Sequence, residues 1–399
     1  MNVFIAILGL AFLILVHEAG HFFTALAVGM RPRRFYVGFP PALVKTTWRG
    51  IEYGIGAIPL GGYVKIPGMH RLAPNDAEMY FGRALRQSPE LIGPTQRLKR
   101  ALAAGDEEAA RSAVAELEHL GGDNPPEGFE RGVQEIVDGL SPQAYWRQRT
   151  WKRVAVILAG PATNLLLAVV LFAGLYLAGG GKATNVVDKV LSGRPAAAIG
   201  LRPGDEVVTV NGVFVTPREI AAEISSSNGR PVILMVQRGA RFVTLGPVRP
   251  QEIDGAYRLG FLLRGERLGV GESAWQSVKL TGIVTREIGK TLVRLVHGEG
   301  RKDISTPVGI VQGSSESLSQ GVEAYLWVLG LISLSLALMN LLPLLPLDGG
   351  HIAFSLVEGV RGRAVAREVY ERVSAVGIAL VLLLFVVGIS NDVGRLGGG

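Results

Sequence analysis

Cysteine is absent from the 399-residue chain. That excludes disulfides, thiolate metal sites, iron–sulfur clusters and a cysteine nucleophile together. Charge is scarce as well: 19% of residues are Asp, Glu, Lys or Arg, against about 25% in an average soluble domain. Hydrophobic residues take their place, at 48% of the chain, and they are gathered into a few long runs, which argues against a purely soluble protein. The formal charge of +7 would by itself admit nucleic acid as a partner. Much of the basic charge, however, flanks the apolar runs, as membrane topology requires, so no nucleic-acid partner is expected.

Crossing a bilayer core takes about 20 residues of helix. Four segments qualify: 1–29, 151–178, 325–347 and 375–391, the last with help from its flanks. The first lacks the basic lead and small-residue cleavage site of a signal peptide, so it is expected to stay in place. Arg31, Arg33 and Arg34 follow the first span, Arg147, Arg149, Lys152 and Arg153 stand at the second, and Arg361, Arg363, Arg367 and Arg372 lie between the third and fourth. Basic residues close to span ends stay inside. Both of those loops are then cytoplasmic, and the two termini and the region from about 179 to 324 are extracytoplasmic. The expectation is a multi-pass protein of the inner (plasma) membrane, with the lipid bilayer as its surroundings.

The connecting segments differ in character. Residues 71–150 carry Leu98, Leu102, Val114, Leu117 and Leu120 at helical intervals and read as a cytoplasmic helical insertion. In 184–264, Glu206–Val210, Val232–Val236 and Phe242–Leu245 are short, β-rich runs bounded by turn residues, with a helix at Pro217–Ser225. This predicts a compact α+β domain. A linker spans 265–324, and its stretch 273–297 is amphipathic, suited to an interfacial helix; residues 348–374 form a cytoplasmic loop. No fixed-period repeat is present.

Inside the first span stands His17-Glu18-Ala19-Gly20-His21, an HExxH sequence. On a helix, positions i and i+4 share a face, so both imidazoles can ligate one metal ion with the intervening glutamate placed as a base. Ionisable groups at membrane depth are costly and normally serve function; the plainer alternative is a polar packing patch. A catalytic zinc site needs a third protein ligand. The strongest candidate is Asp348 in the run Asn340-Leu-Leu-Pro343-Leu-Leu-Pro346-Leu-Asp348-Gly-Gly. Its prolines force irregular backbone in an apolar segment, tolerated there only where it lines a cavity or is buried in protein. An isolated Asp348 would otherwise read as a helix cap.

These two motifs together resemble the signatures of the site-2 protease family of intramembrane zinc metalloproteases, in particular its bacterial RseP-like branch with an extracytoplasmic PDZ domain. Gly54–Gly68, Ala159–Asn164, Thr306–Gln312, Leu201–Asp205 and Val208–Gly212 resemble further segments of that branch; the insertion at about 71–140 does not. The family pattern NxxPxP has Leu345 at its second proline here. The resemblance implies a membrane α-helical fold of four transmembrane helices, with a membrane-associated β-hairpin at 45–68 and an extracytoplasmic α+β PDZ-like domain at 184–264.

The same resemblance implies one Zn2+ per chain, held by His17, His21 and Asp348 with water in the fourth position, and Glu18 as the base that activates that water. Asn340 matches a substrate-contacting position, and packing is its alternative; Asn164 is better read as packing. The hairpin, through Tyr53, Gly61 and Gly62, would hold an unwound substrate, with strands at Tyr53–Ile58 and Gly62–Ile66 joined near Pro59; its alternative is a structural hairpin that only fills the membrane interface. Leu259-Gly260-Phe261 is a weak match to a carboxylate-binding loop, and an ordinary buried strand is the better reading. His70, His119 and His297 read as surface residues, and His351 as helix-start packing. The implied function is cleavage of the transmembrane segment of a single-pass membrane protein, an anti-sigma factor or a remnant signal peptide, in regulated intramembrane proteolysis. A non-catalytic PDZ scaffold would have no need for Glu18, and an ion transporter would want several ionisable groups along a path or repeated halves.

Overall fold

The computed structural model describes residues 1–122, 124–180, 183–253, 255–297, 306–365 and 367–397. In chain order its elements are α1 (Asn2–Ala27), β1 (Arg34–Trp48), β2 (Ile51–Lys65), α2 (Asp76–Phe81), α3 (Ala84–Gln87), α4 (Ile92–Ala104), α5 (Glu107–Gly121), α6 (Phe129–Leu140), α7 (Thr150–Ala178), β3 (Ala183–Val190), α8 (Pro195–Ala198), β4 (Glu206–Val210), β5 (Val213–Phe214), α9 (Pro217–Ser226), β6 (Val232–Arg238), β7 (Arg241–Val248), β8 (Gln251–Ile253), β9 (Ala256–Arg258), β10 (Phe261–Gly265), α10 (Val270–Val296), α11 (Pro307–Gln320), α12 (Val322–Asn340), α13 (Asp348–Arg361) and α14 (Arg367–Gly397).

Four of these helices are long and apolar enough to cross a membrane: α1, α7, α12 and, over Glu368–Asp392, α14. The protein is a multi-pass membrane protein. The sequence reading of the last two spans needs correction. Helix α12 stops at Asn340, and residues 341–347 run as turns up to α13, because Pro343 and Pro346 cannot donate to a helical ladder. The segment 348–374 is not a loop: α13 occupies most of it, and α14 begins before residue 375. The linker 265–324 carries two helices, α10 and α11, rather than one; residues 298–305 within it lie outside the described residues.

The chain divides into two compact units, one of Met1–Ala168, Thr285–Gly321 and Leu331–Gly399, the other of Val169–Val284 and Val322–Gly330. In the first, α2 to α6 pack around Phe81, Leu91, Leu98, Val114, Leu117 and Ile136. Leu98, Val114 and Leu117 are buried as their spacing predicts, while Leu120 is exposed. The β-structure of this unit begins at Arg34, well before the expected 45–68, because the aromatic and β-branched run Phe35–Val37 has as strong a strand preference as the hairpin itself. Register splits both strands. Ala42–Trp48 pairs with Ile51–Gly56 across Arg49-Gly50, both at positive φ, whereas Arg34–Val37 lies between Glu52–Ile55 and Gly62–Lys65. The expected pairing of Tyr53–Ile58 with Gly62–Ile66 is therefore incorrect. Each pairs with Arg34–Val37 instead, which leaves Gly62–Lys65 at the edge.

In the second unit, β10-β3-β4-β6-β7 form one sheet, with β5 on β4, and β8-β9 form a separate ribbon. Strands β4, β6 and β7 and helix α9 coincide with the runs read from sequence. Alternation decides which side chains are inside: Val232, Leu234 and Val236 are buried and Ile233 is 42% exposed. A capping box of Thr216 and Glu219 starts α9, an arrangement in which a cap is worth about 1 kcal/mol. Asp205 is buried and accepts from Arg238 Nε and Nη2, both at 2.7 Å, and from the Arg202 amide at 2.8 Å. Leu234→Ala is expected to cost about 2–5 kcal/mol, and Ile233→Ala to stay within about 0.5 kcal/mol. Hydrogen exchange of the β6 amides in the full-length protein measures the difference.

Candidate metal centre

The first link is local. Helix α1 places His17 and His21 one turn apart, and both are 7% exposed. Their Nε2 atoms are 3.2 Å apart. Asp348, the first residue of α13 after the proline-interrupted stretch, brings Oδ2 to 3.2 Å from His17 Nε2 and 3.4 Å from His21 Nε2. These donor atoms are within 4.8 Å of one another.

The proton arrangement indicates what these atoms are for. His21 Nδ1 donates to the Val156 carbonyl at 2.8 Å. A neutral imidazole holding that proton turns a lone pair outward at Nε2. Asp348 Oδ2 is buried and makes no hydrogen bond of good geometry. The His21 Nε2 lone pair and the Asp348 carboxylate oxygen thus face the same point as His17 Nε2, an arrangement that a divalent cation satisfies. Two nitrogens and one carboxylate oxygen match a catalytic zinc set with its fourth position open.

Helix α7 makes this possible by close approach. A Cβ on Gly160 would overlap the His21 ring, and a Cβ on Gly20 would sit 2.5 Å from the Ala159 carbonyl oxygen. Thr163 Oγ1 donates to the Val16 carbonyl at 3.1 Å and to Gly160 O at 2.8 Å. Asn164 is fully buried with Nδ2 at 3.4 Å from His17 Nδ1, and Ser333 Oγ donates to the Asn164 carbonyl at 2.8 Å. The packing role read for Asn164 is therefore only part of its position: it is also the neighbour of the His17 imidazole.

A cavity of about 480 Å3 opens on these groups, lined by His17, Glu18, His21, Gly61, Gly62, Tyr63, Val64, Met69, Asn340, Asp348 and His351 among others. Glu18 lies against the edge strand: a Cβ on Gly62 would stand 2.6 Å from Glu18 Cγ, and the Val64 backbone hydrogen-bonds to the Glu18 carboxylate. Asn340, Gly61 and Gly62 are thus brought to the site. Tyr53 is not; its ring packs with Phe22 at 5.9 Å and Phe35 at 6.2 Å. Tyr63 lines the cavity in its place, because Gly62–Lys65 is the edge. Beside it, Tyr36 donates to Glu52 at 2.7 Å, and burial together with that carboxylate pushes its hydroxyl up to about 12. His351 lines the cavity as well, beyond the helix-start packing read from sequence. Leu345, at the departure from NxxPxP, is buried with its backbone carbonyl against Gly377 of α14. His70, His119 and His297 do not line this cavity.

Residues 5–384 match the model of peptidase family M50. The chain belongs to peptidase family M50. This is the site-2 protease family, and the chain is a membrane metalloendopeptidase. Among similar M50 relatives, zinc metalloprotease RasP of Geobacillus kaustophilus is 32% identical over 405 residues, covering 96% of this chain and 95% of its own length. Zinc metalloprotease Rip1 of Mycobacterium tuberculosis is 30% identical over 435 residues, covering 95% and 91% respectively.

Gly160 has no task legible in Ala159–Asn164 beyond being a glycine next to a proline in an apolar helix. The Val156 carbonyl had none, being backbone. Gly160→Ala is expected to lower affinity for a divalent metal by about 10–100-fold, the usual cost of disturbing a ligand's support. Gly174→Ala on the same helix, where an added methyl meets nothing within 4 Å, should leave it unchanged. Competition with a chromophoric chelator reads both.

Proposed function

We propose that this M50 peptidase cuts within the transmembrane segment of single-pass membrane proteins, with His17, His21 and Asp348 as the metal ligands and Glu18 as the general base. Zn2+ is its cofactor, one per chain. The observation that carries this reading is the convergence of three donors from two separate stretches, α1 and the start of α13, beside Glu18 on a cavity bordered by a strand edge. When bound, the zinc ion supplies Lewis acidity that polarises a peptide carbonyl and makes water more acidic.

The chain's own residues do the rest. Val156 holds the His21 tautomer, and the Asn164 amide faces His17, so both imidazoles are presented in fixed orientation. Glu18 takes a proton from the attacking water and returns it to the leaving amine, a role worth about 10²–10⁴-fold in general acid–base catalysis. A helical substrate hides its amides in intrahelical bonds. The edge Gly62–Lys65 offers backbone groups to an unwound segment by β-addition, and Gly61, Gly62 and Asn340 stand where that segment would pass. Gly62 is required there because any side chain would displace Glu18.

The α+β sheet unit over 184–264 acts as an extracytoplasmic PDZ-like module, a size filter or a reader of pre-cut substrate ends, with Leu259-Gly260-Phe261 at the start of β10 as its carboxylate loop. The termini lie on the same side of the inner membrane, and the α2–α6 bundle is cytoplasmic. The substrates are anti-sigma factors already trimmed outside or remnant signal peptides, in regulated intramembrane proteolysis.

In liposomes, the wild type is expected to cut a tagged single-pass substrate inside its membrane segment. Glu18→Gln should retain zinc and lose about 10²-fold or more of the rate. Equal cutting by both proteins would remove Glu18 from the base role. Binding of several substrates without cutting by either would favour a non-catalytic scaffold.

A further inference from the structure

A second cavity, of about 680 Å3, shares Met69 with the metal-facing cavity and none of its donor side chains. Three guanidinium-bearing residues from separate stretches meet in its wall: Arg71 after the β-structure, Arg153 in the first turn of α7, and Arg363 just beyond α13. One carboxylate, Glu358, lines it too, and that group is already committed. Its Oε2 accepts from Arg153 Nη2 at 2.6 Å and its Oε1 from the Val365 amide at 2.7 Å. The wall therefore carries an excess of positive charge.

Arg153 is 5% exposed and already engaged: Nη2 donates to Glu358, the guanidinium lies 5.0 Å from the centre of the Tyr145 ring, and Nε is sealed from the cavity. An anion in the cavity would therefore meet Arg71 and Arg363, and the planar fork of arginine matches the oxygens of a phosphate. Arg71 and Arg363 are exposed, so both are accessible to the same ligand. The Arg71 guanidinium stands 5.7 Å from the centre of the Trp146 ring.

We propose that this cavity binds the phosphate of an anionic phospholipid headgroup. Its depth favours a lipid source. The cavity sits at the first turn of a membrane-spanning helix, where Arg147, Arg149, Trp151 and Lys152 form the basic and aromatic belt that marks the headgroup level. The positive end of the α7 dipole faces the same level. Basic pockets at the ends of spans prefer anionic headgroups over zwitterionic ones, whose cation the arginines repel. Occupancy would also brace a wall of the metal-facing cavity. Tyr370 lines the headgroup cavity and packs on Phe354 at 4.1 Å, with its ring centre 6.5 Å from that of His351.

Native mass spectrometry of the full-length protein, equilibrated with equimolar phosphatidylglycerol and phosphatidylcholine, tests this independently of peptidase activity. Wild type should retain phosphatidylglycerol in preference. An Arg71→Gln/Arg363→Gln double variant should lose that preference by roughly fivefold per arginine removed. Its unfolding midpoint in pure phosphatidylcholine should be unchanged, since both side chains are exposed. If millimolar inorganic phosphate displaces phosphatidylglycerol and by itself raises the unfolding midpoint, a soluble phosphate is the ligand and the lipid assignment falls. Equal retention of the two lipids by wild type, or equal retention of phosphatidylglycerol by wild type and double variant, overturns the site altogether.

Discussion

The structure depends on one close approach, that of α1 to α7. Two imidazoles inside an apolar helix must be held with their Nε2 atoms turned to a common point, at a depth where polar side chains are costly unless partnered. Glycines at positions 20 and 160 let the two backbones meet. His21 can then give its Nδ1 proton to a main-chain carbonyl, and Thr163 can bond across the interface. Small residues and interhelical hydrogen bonds are the means by which helices associate where lipid removes the hydrophobic incentive. Here the same contact also sets a tautomer.

The third donor depends on a break in regular structure. Helix α12 ends at Asn340, and the seven residues after it turn before α13 begins on Asp348. Gly349 and Gly350 lie so close to the backbone of Leu341, Leu342 and Leu344 that no side chain would fit. Irregular backbone at membrane depth has to be covered by protein, and Leu345 with Gly377 provides that cover. The edge strand enters by the same logic: Gly62 permits it to lie on Glu18, so that a backbone capable of holding an extended chain and the carboxylate that would act on it are neighbours.

How much of this was readable in advance varied with the range of the interaction. The apolar runs, the HExxH spacing and the alternation in β4, β6 and β7 are local patterns, and they located spans, imidazole pair and strands closely. The pairing of β1 with β2 was not local. Tyr53 is the tyrosine that the sequence points to, and only the register, with Arg34–Val37 inserted between the strands, sends Tyr53 into an aromatic cluster and brings Tyr63 to the cavity. Asp348 was reachable from sequence because a two-histidine motif calls for a third ligand. The carbonyl of Val156 was not, since every residue has one.

From its sequence alone, the chain is determined to be a membrane protein with two histidines one helical turn apart in its first span, because burial cost and helical period act over a few residues and leave a visible pattern. The tertiary structure decided the rest. It chose which strand becomes the edge, gathered three arginines from distant stretches around one cavity, and placed Asp348 within 3.2 and 3.4 Å of the two imidazoles. Those outcomes depend on distances between segments far apart in the chain, which are set by packing and excluded volume and have no local period to betray them.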